Sequence, residues 1–365
     1  DKSDWKTGQV EGHFIFPHDT VLAKTVSYLK DVNDPMSKTR LETQLLHRNG
    51  DDWNAYNYVW NEDQTDAMLQ DNVATDRELV ILDPRVEGGV RKQTWHHASR
   101  DECSLCHIWS ASTIHGFKLN QIDRDSDHHQ GNQLDRFESL GLFALAIERD
   151  QPLASPYDET KSLEERARSY LHMNCAHCHR RGGGGTAAFE LVGNKPLEEL
   201  DLVDAKPTQG DFGLPNCRVV AAGNPQQSVL LYRLAKSGRG HMPQFGPSLI
   251  DERGIDLVHD WIASLGGESA VHPAALVRKR LIACENPLSP SDVAWVQQQF
   301  ASLEDSLTLS AVCCDEAVEP SVRREIASLA AASATSATRD LFERYLPEGL
   351  RIKRLGASIH PTALL

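Results

Sequence analysis

No run of about eighteen apolar residues occurs in the chain, so nothing in it reads as a membrane-spanning helix. Positive charge is in deficit. The 38 lysines and arginines face 52 acidic residues, and the formal net charge of -14 excludes a general nucleic-acid binder and points to basic docking partners. The chain begins at Asp1 without the charged and apolar segments of an export signal, which implies that any such signal is already removed or lies outside this stretch. The glycine run Gly182 to Gly185 is not followed by Lys-Ser or Lys-Thr, which argues against a phosphate-cradling loop. What remains is ordinary for a globular protein: 40% hydrophobic and 25% charged residues, in a length of 365 that suffices for two or three domains with cores.

The chemistry is concentrated in the cysteines. Cys175-Ala176-His177-Cys178-His179 and Cys103-Ser104-Leu105-Cys106-His107 both carry the Cys-x-x-Cys-His spacing of covalent haem c attachment. On one helical turn the two thiols can meet the two vinyl groups of a porphyrin, and the next side chain brings an imidazole to the iron. A four-cysteine zinc site is the rival, but the pairs lie far beyond the roughly 15–20 residues that separate the pairs of a zinc ribbon. A thioredoxin-like redox pair is a second rival, and it lacks the apolar strand that should precede it. Two covalent haems are therefore expected, with His107 and His179 as iron ligands. Cys217, Cys284, Cys313 and Cys314 remain, in a setting that permits disulfides, with no pairing legible; adjacent Cys313 and Cys314 read as buried apolar side chains.

Soft sulfur for the far side of the second haem is available in Gly240-His241-Met242-Pro243-Gln244-Phe245-Gly246, which makes Met242 the expected partner of His179. Met173 shares a helical segment with the haem cysteines and is not suited to reach the opposite face. No Met-Pro stretch occurs between Leu119 and Pro156, so the first haem needs another sixth ligand. His47 is preferred, because it can approach from another part of the fold. His96, His97, Met68 and an open position are the alternatives, and His115 is expected to face the same side as His107. His128 and His129 read as solvated loop residues.

The organisation is read as multidomain α+β. Residues 1–92 alternate with period two at Thr20 to Leu29, Arg40 to His47 and Trp53 to Trp60, with His13 to Phe16 and a short buried run Val80-Ile81-Leu82, and imply a small antiparallel β domain. Residues 93–156 hold the first haem stretch on an early helical turn, with Ser99 and Glu102 as a capping box, followed by a helix from Gln133 to Glu148. Residues 157–267 form the second haem domain. A helix capped by Ser162 and Glu165 runs into the Cys-x-x-Cys-His stretch, and Asp251 to Leu265 carries Ile255, Val258, Trp261 and Ile262 on one face, stopped by Gly266-Gly267. Residues 268–365 read as a helical tail or connector, with helices starting at Pro290 and Pro320, ending in Asp340 to Gly356.

Residues 158–266 resemble a single-haem cytochrome c domain. That resemblance implies that Trp261 packs near the haem edge. A wider resemblance spans about residues 5–266. It rests on Phe16-Pro17, Arg40-Leu41-Glu42-Thr43, Tyr58-Val59-Trp60-Asn61 with Gln64-Thr65-Asp66-Ala67, Ser99-Arg100, and Tyr170 to His179. Together these resemble a bacterial family of dihaem c-type cytochromes often associated with quinoprotein sugar dehydrogenases, and 340–356 look like a connector to a further cytochrome module. Asp19 and Ala98 stand where that family usually has Gly and Pro. The resemblance implies an extracytoplasmic, periplasmic relay that takes single electrons from a dehydrogenase. A dihaem peroxidase-like enzyme with an open coordination position at the first haem is the alternative.

Overall fold

The computed structural model describes residues 6–7, 14–84, 87–107, 114–125, 130–143, 147, 149, 151–214, 216–236, 238–244, 251–266, 273–302, 305–306, 308–309 and 317–333. His13, His128, His129, Phe245, Gly246, Gly267, Cys313, Cys314 and 340–356 lie outside them. The chain divides into two compact units, 1–84 with 89–195 and 85–88 with 196–365, so both Cys-x-x-Cys-His stretches belong to the first. The architecture is mixed α+β, with an antiparallel sheet region at the N-terminal end.

In the first unit, β1 (Lys6–Thr7) pairs with β2 (Phe14–Ile15). A four-stranded antiparallel sheet follows in the order β3 (Val21–Leu29), β4 (Lys38–Asn49), β5 (Asp52–Trp60) and β6 (Ala67–Leu69). A hairpin of β7 (Thr75–Leu82) and β8 (Val90–His97) completes the β region. The three long alternating stretches form the three long strands. The run Val80-Ile81-Leu82 behaves differently from the expectation. Leu79 and Ile81 are buried, at 2% and 6% exposure, while Val80 and Leu82 are half exposed, because a hairpin shows one face to the core and the other to solvent. Leu41, Leu79 and Ile81 form the core there, with Val26, Tyr28, Val32 and Trp95 against it. Full burial of such side chains contributes about 1.5–3 kcal/mol each.

Side chains of Arg40, Thr43, Trp60, Asn61 and Gln64 tie β4, β5 and the β5–β6 turn together. The Arg40 guanidinium carbon lies over the Trp60 ring, 3.5 Å from its centre, and the Trp60 indole donates to Thr43 Oγ1 at 3.0 Å. Gln64 Oε1 accepts from the Arg40 amide at 2.7 Å, and its Nε2 donates back to the Arg40 carbonyl at 3.1 Å. Asn61 Oδ1 accepts from the amides of Thr65 and Asp66. The β5–β6 turn is thus built from side-chain bonds to its own backbone.

The helices of the first unit are α1 (Arg100–Cys106), α2 (Leu119–Ile122), α3 (Gln133–Ser139) and α4 (Leu163–Cys175). The helix expected through Glu148 ends at Ser139. Gly141 takes φ 63°, its amide donates to Glu138, and the Leu142 amide donates to Phe137, a left-handed cap that stops the spiral. Phe14, Phe16, Leu119, Ile122 and Leu134 bury together, with Trp53, Phe117, Phe137 and Phe143 around them.

In the second unit, α5 (Val229–Ala235) packs on α6 (Glu252–Ser264). Asp251 caps α6 by accepting from the Gly254 amide at 3.0 Å, and Ile255, Val258, Trp261 and Ile262 are buried on one face, as their spacing requires. The tail is a core in its own right. Helices α7 (Pro273–Ile282), α8 (Pro290–Gln299) and α9 (Pro320–Ser333) bury Leu281, Val296, Phe300, Leu309, Val322 and Ile326. Among the described residues no helix is long and apolar enough to cross a membrane.

Candidate functional site

Helix α1 begins with a complete capping box. Ser99 Oγ accepts from the Glu102 amide at 3.2 Å, and the Glu102 carboxylate accepts from the Ser99 amide at 2.8 Å. Asp101 and Glu102 add negative charge at the positive end of the helix. Arg100 ties the start of the helix to β5, donating to the Ala55 carbonyl at 3.1 Å and lying over Tyr56. Cys103 opens into a cleft lined by Asn57, Gln70, Asn72 and Arg100. The His107 amide then donates to the Cys103 carbonyl at 3.0 Å.

Helix α4 repeats this plan. Ser162 and Glu165 form the second capping box, and the helix runs on to Cys175. The His179 amide donates to the Cys175 carbonyl at 2.9 Å, the same bond that links His107 to Cys103. In both stretches the first thiol and the imidazole are therefore fixed four residues apart on one turn. The His179 ring stacks on Phe189, 4.8 Å apart and tilted by 5°, and the Leu191 amide donates to the His179 carbonyl at 2.8 Å. Gly185 donates its amide to the Cys178 carbonyl at 3.0 Å. A Cβ on Gly183 would fall 2.3 Å from that carbonyl oxygen, and one on Gly185 2.8 Å from it. The glycine run is needed because the chain folds back onto the second cysteine.

The two stretches meet. The ligand atoms of Cys106, His177 and Cys178 lie within 4.8 Å of one another, the one such group among the described residues that could hold a metal ion. Cys103 and Cys175 are not members of it, so the four cysteines are not gathered as a zinc ribbon would gather them. A hydrogen bond shared between Cys106 and Cys178 lowers the Cys178 thiol, with His177 contributing, and raises Cys106. Burial pushes Cys175 up to about 12 and also raises Cys103, helped by Glu42 and Glu102.

His115 bridges the cluster. Its ring centre is 4.8 Å from that of His107 and 5.4 Å from that of His177. Nε2 donates to the Cys106 carbonyl at 2.7 Å, which fixes the tautomer and leaves Nδ1 buried without a hydrogen-bond partner. Burial pushes its pKa down to about 3, so the ring is neutral at ordinary pH. The spacing of the motifs names neither His115 nor His177 as a partner of the other stretch, because the contact is made between segments some seventy residues apart in the chain. His172 is a further buried imidazole, lowered to about 4 by burial and by nearby Lys118 and Arg180, and its Nδ1 accepts from the Gly193 amide at 2.9 Å.

The other expected ligands lie as follows. His47 sits in β4 opposite Val21 and Asn54, with Nε2 3.8 Å from Asp19. His96 has both ring nitrogens engaged, by Asp76 at 2.6 Å and by Glu102 at 3.1 Å, and these carboxylates raise its pKa, Asp76 most. His97 is buried and bonded to Glu42. Met68 is 76% exposed on β6. Met242 belongs to the second unit, where its amide donates to the Arg233 carbonyl at 3.1 Å and Arg233 Nη1 donates to the Gly240 carbonyl at 3.0 Å. Gly240, at φ 88°, leaves no room for a Cβ beside Phe212. Trp261 is fully buried, and its indole N–H has no hydrogen-bond partner among the described residues. Cys217 and Cys284 are buried free thiols. Compared with family models, with curated proteins and with solved structures, the chain gives no match.

Proposed function

We propose that this chain is a dihaem c-type cytochrome that relays single electrons, with Cys103, Cys106 and His107 holding one haem and Cys175, Cys178 and His179 the other. The observation that carries the reading is the repeated local geometry: two capped helices, each delivering Cys-x-x-Cys-His with the histidine amide bonded to the first cysteine's carbonyl.

Cys103, Cys106, Cys175 and Cys178 would hold the haems through thioether bonds, each formed by addition of S–H across a vinyl double bond, with the hydrogen going to the other vinyl carbon and no oxidant required. The haem supplies the redox chemistry, and the protein tunes it through ligands and burial. His107 and His179 offer imidazole nitrogens. Phe189 holds the His179 ring, and Gly183 and Gly185 keep the returning chain close to Cys178. Met242, in a loop tied down by Arg233, would offer a thioether sulfur to the iron of the second haem. His47 would offer a second imidazole to the iron of the first haem. His96 is a weaker candidate because two carboxylates already occupy its nitrogens. Thioether favours the ferrous state more than imidazole does, so a haem ligated by Met242 would accept electrons from one ligated by two histidines. The donor fits a periplasmic dehydrogenase, and the acceptor a downstream cytochrome or a basic redox protein, given the acidic chain.

The test is the mass of the intact, haem-stained chain. Two covalent haems are expected. A chain without haem that carries zinc at Cys106, His177 and Cys178 would overturn the reading, and that cluster is the observation that favours the rival. Replacing Met242 by Ala is expected to abolish the weak sulfur-to-iron absorption at the red edge of the ferric spectrum. A high-spin signal at the first haem would instead favour the peroxidase-like enzyme.

A further inference from the structure

In the first unit the second cysteines of the two Cys-x-x-Cys-His stretches lie side by side, with Sγ atoms no more than 4.8 Å apart. Resting on the dihaem reading, we infer that Cys106 and Cys178 hold the two haems at a common edge, so that the pair works as one electronically coupled unit rather than as two separate stations.

The constraint is covalent. Each thioether sulfur is bonded to a vinyl-derived carbon, and that carbon is bonded directly to a pyrrole ring. Two rings tied to neighbouring sulfurs can be separated by little more than the gap between the sulfurs and those bonds. The backbone around the pair is fixed on both sides. The His107 amide bond to Cys103 holds the turn that carries Cys106, and Gly185 holds the Cys178 carbonyl. His115 adds a brace, since its Nε2–H grips the Cys106 carbonyl while its ring lies against both His107 and His177. Functionally, a pair joined at one edge lets a two-electron donor deliver its electrons in succession through one entry point, with the first electron passing on within the pair before the second arrives.

The experiment is circular dichroism across the Soret band of the reduced, fully loaded chain. Two strongly interacting haems give a bisignate couplet, and that is the expected result. The variant with Cys103→Ala and Cys106→Ala, and separately the variant with Cys175→Ala and Cys178→Ala, should each retain one haem and lose the couplet. If the loaded chain has two haems by mass and its spectrum equals the sum of the two single-haem variants, the shared edge is overturned and the dihaem reading stands. If the chain has no covalent haem, that reading falls and this inference with it. Should a double variant fail to fold, magnetic coupling between the two ferric irons in the unaltered protein decides the matter, and two isolated paramagnetic signals would overturn the inference.

Discussion

Glu42 and His97 are joined by a hydrogen bond across 55 residues of chain, with both side chains buried, at 0% and 2% exposure. Asn57 Nδ2 donates to the same carboxylate at 2.9 Å, and Gln70 ties Asn57 and the His97 carbonyl together. This bond links the four-stranded sheet to the β7–β8 hairpin immediately before α1. Removing one partner leaves a buried charge uncompensated. His97→Ala is therefore expected to lower unfolding stability by about 3–5 kcal/mol. Urea unfolding at neutral pH measures it, and a loss below about 1 kcal/mol would show that the pair adds little.

The same pair sets a pH dependence. Burial acts to raise the Glu42 carboxyl, but hydrogen bonds from His97 and Asn57 outweigh it, and the net shift is below the ordinary value of 4.5. A carboxyl held lower in the folded than in the unfolded chain binds fewer protons when folded. Its contribution is complete above the unfolded value and is lost as pH falls through the lower folded value. The stability gap between the unaltered protein and Glu42→Gln should shrink as the medium is taken from neutral to well below pH 4.5. A gap that widens on acidification would reverse the sign and reject the assignment.

Asp19 turns the chain from β2 into β3 with φ 61°, a conformation that costs most residues about 1–2 kcal/mol and that Gly, Asn and Asp tolerate. A residue able to adopt the left-handed region is therefore required at this turn. Asp19→Gly and Asp19→Asn should retain stability, and Asp19→Ala should lose about 1 kcal/mol. Thermal unfolding of the three variants separates backbone strain from the ion pair with His47. If Asn and Ala lost stability equally, the charge would be the cause.

Much of this was legible where local chemistry decides. Ser99 with Glu102 and Ser162 with Glu165 form both capping boxes, because the reciprocal bonds depend on residues three apart. The three long strands were legible from alternation, and α6 from its buried face. The helix through Glu148 failed because Gly141 closes α3 with a left-handed cap, which apolar periodicity does not register. The approach of Cys106 to Cys178, and the position of His115 between His107 and His177, depend on how separate segments pack, and no spacing within either stretch encodes it.

Gly183 offers the sharpest test of the second attachment site. A Cβ there would lie 2.3 Å from the Cys178 carbonyl oxygen and 3.1 Å from that of Arg180, and both are backbone atoms that cannot rotate away. The turn must open, carrying Cys178 with it, and overpacking of this kind costs about 1–3 kcal/mol. Cys175, on the last turn of α4, is held by its own helix and should move less. Gly183→Ala is thus expected to lower stability and to reduce haem attachment at the second stretch while leaving the first intact, because the first depends on α1 and its cap. Gly116→Ala is the control, since a Cβ there meets nothing within 4 Å. Peptide mass mapping of the two Cys-x-x-Cys-His segments reads the outcome stretch by stretch. Full loading at both stretches with unchanged stability in Gly183→Ala would mean that the chain does not fold back against Cys178 as closely as described.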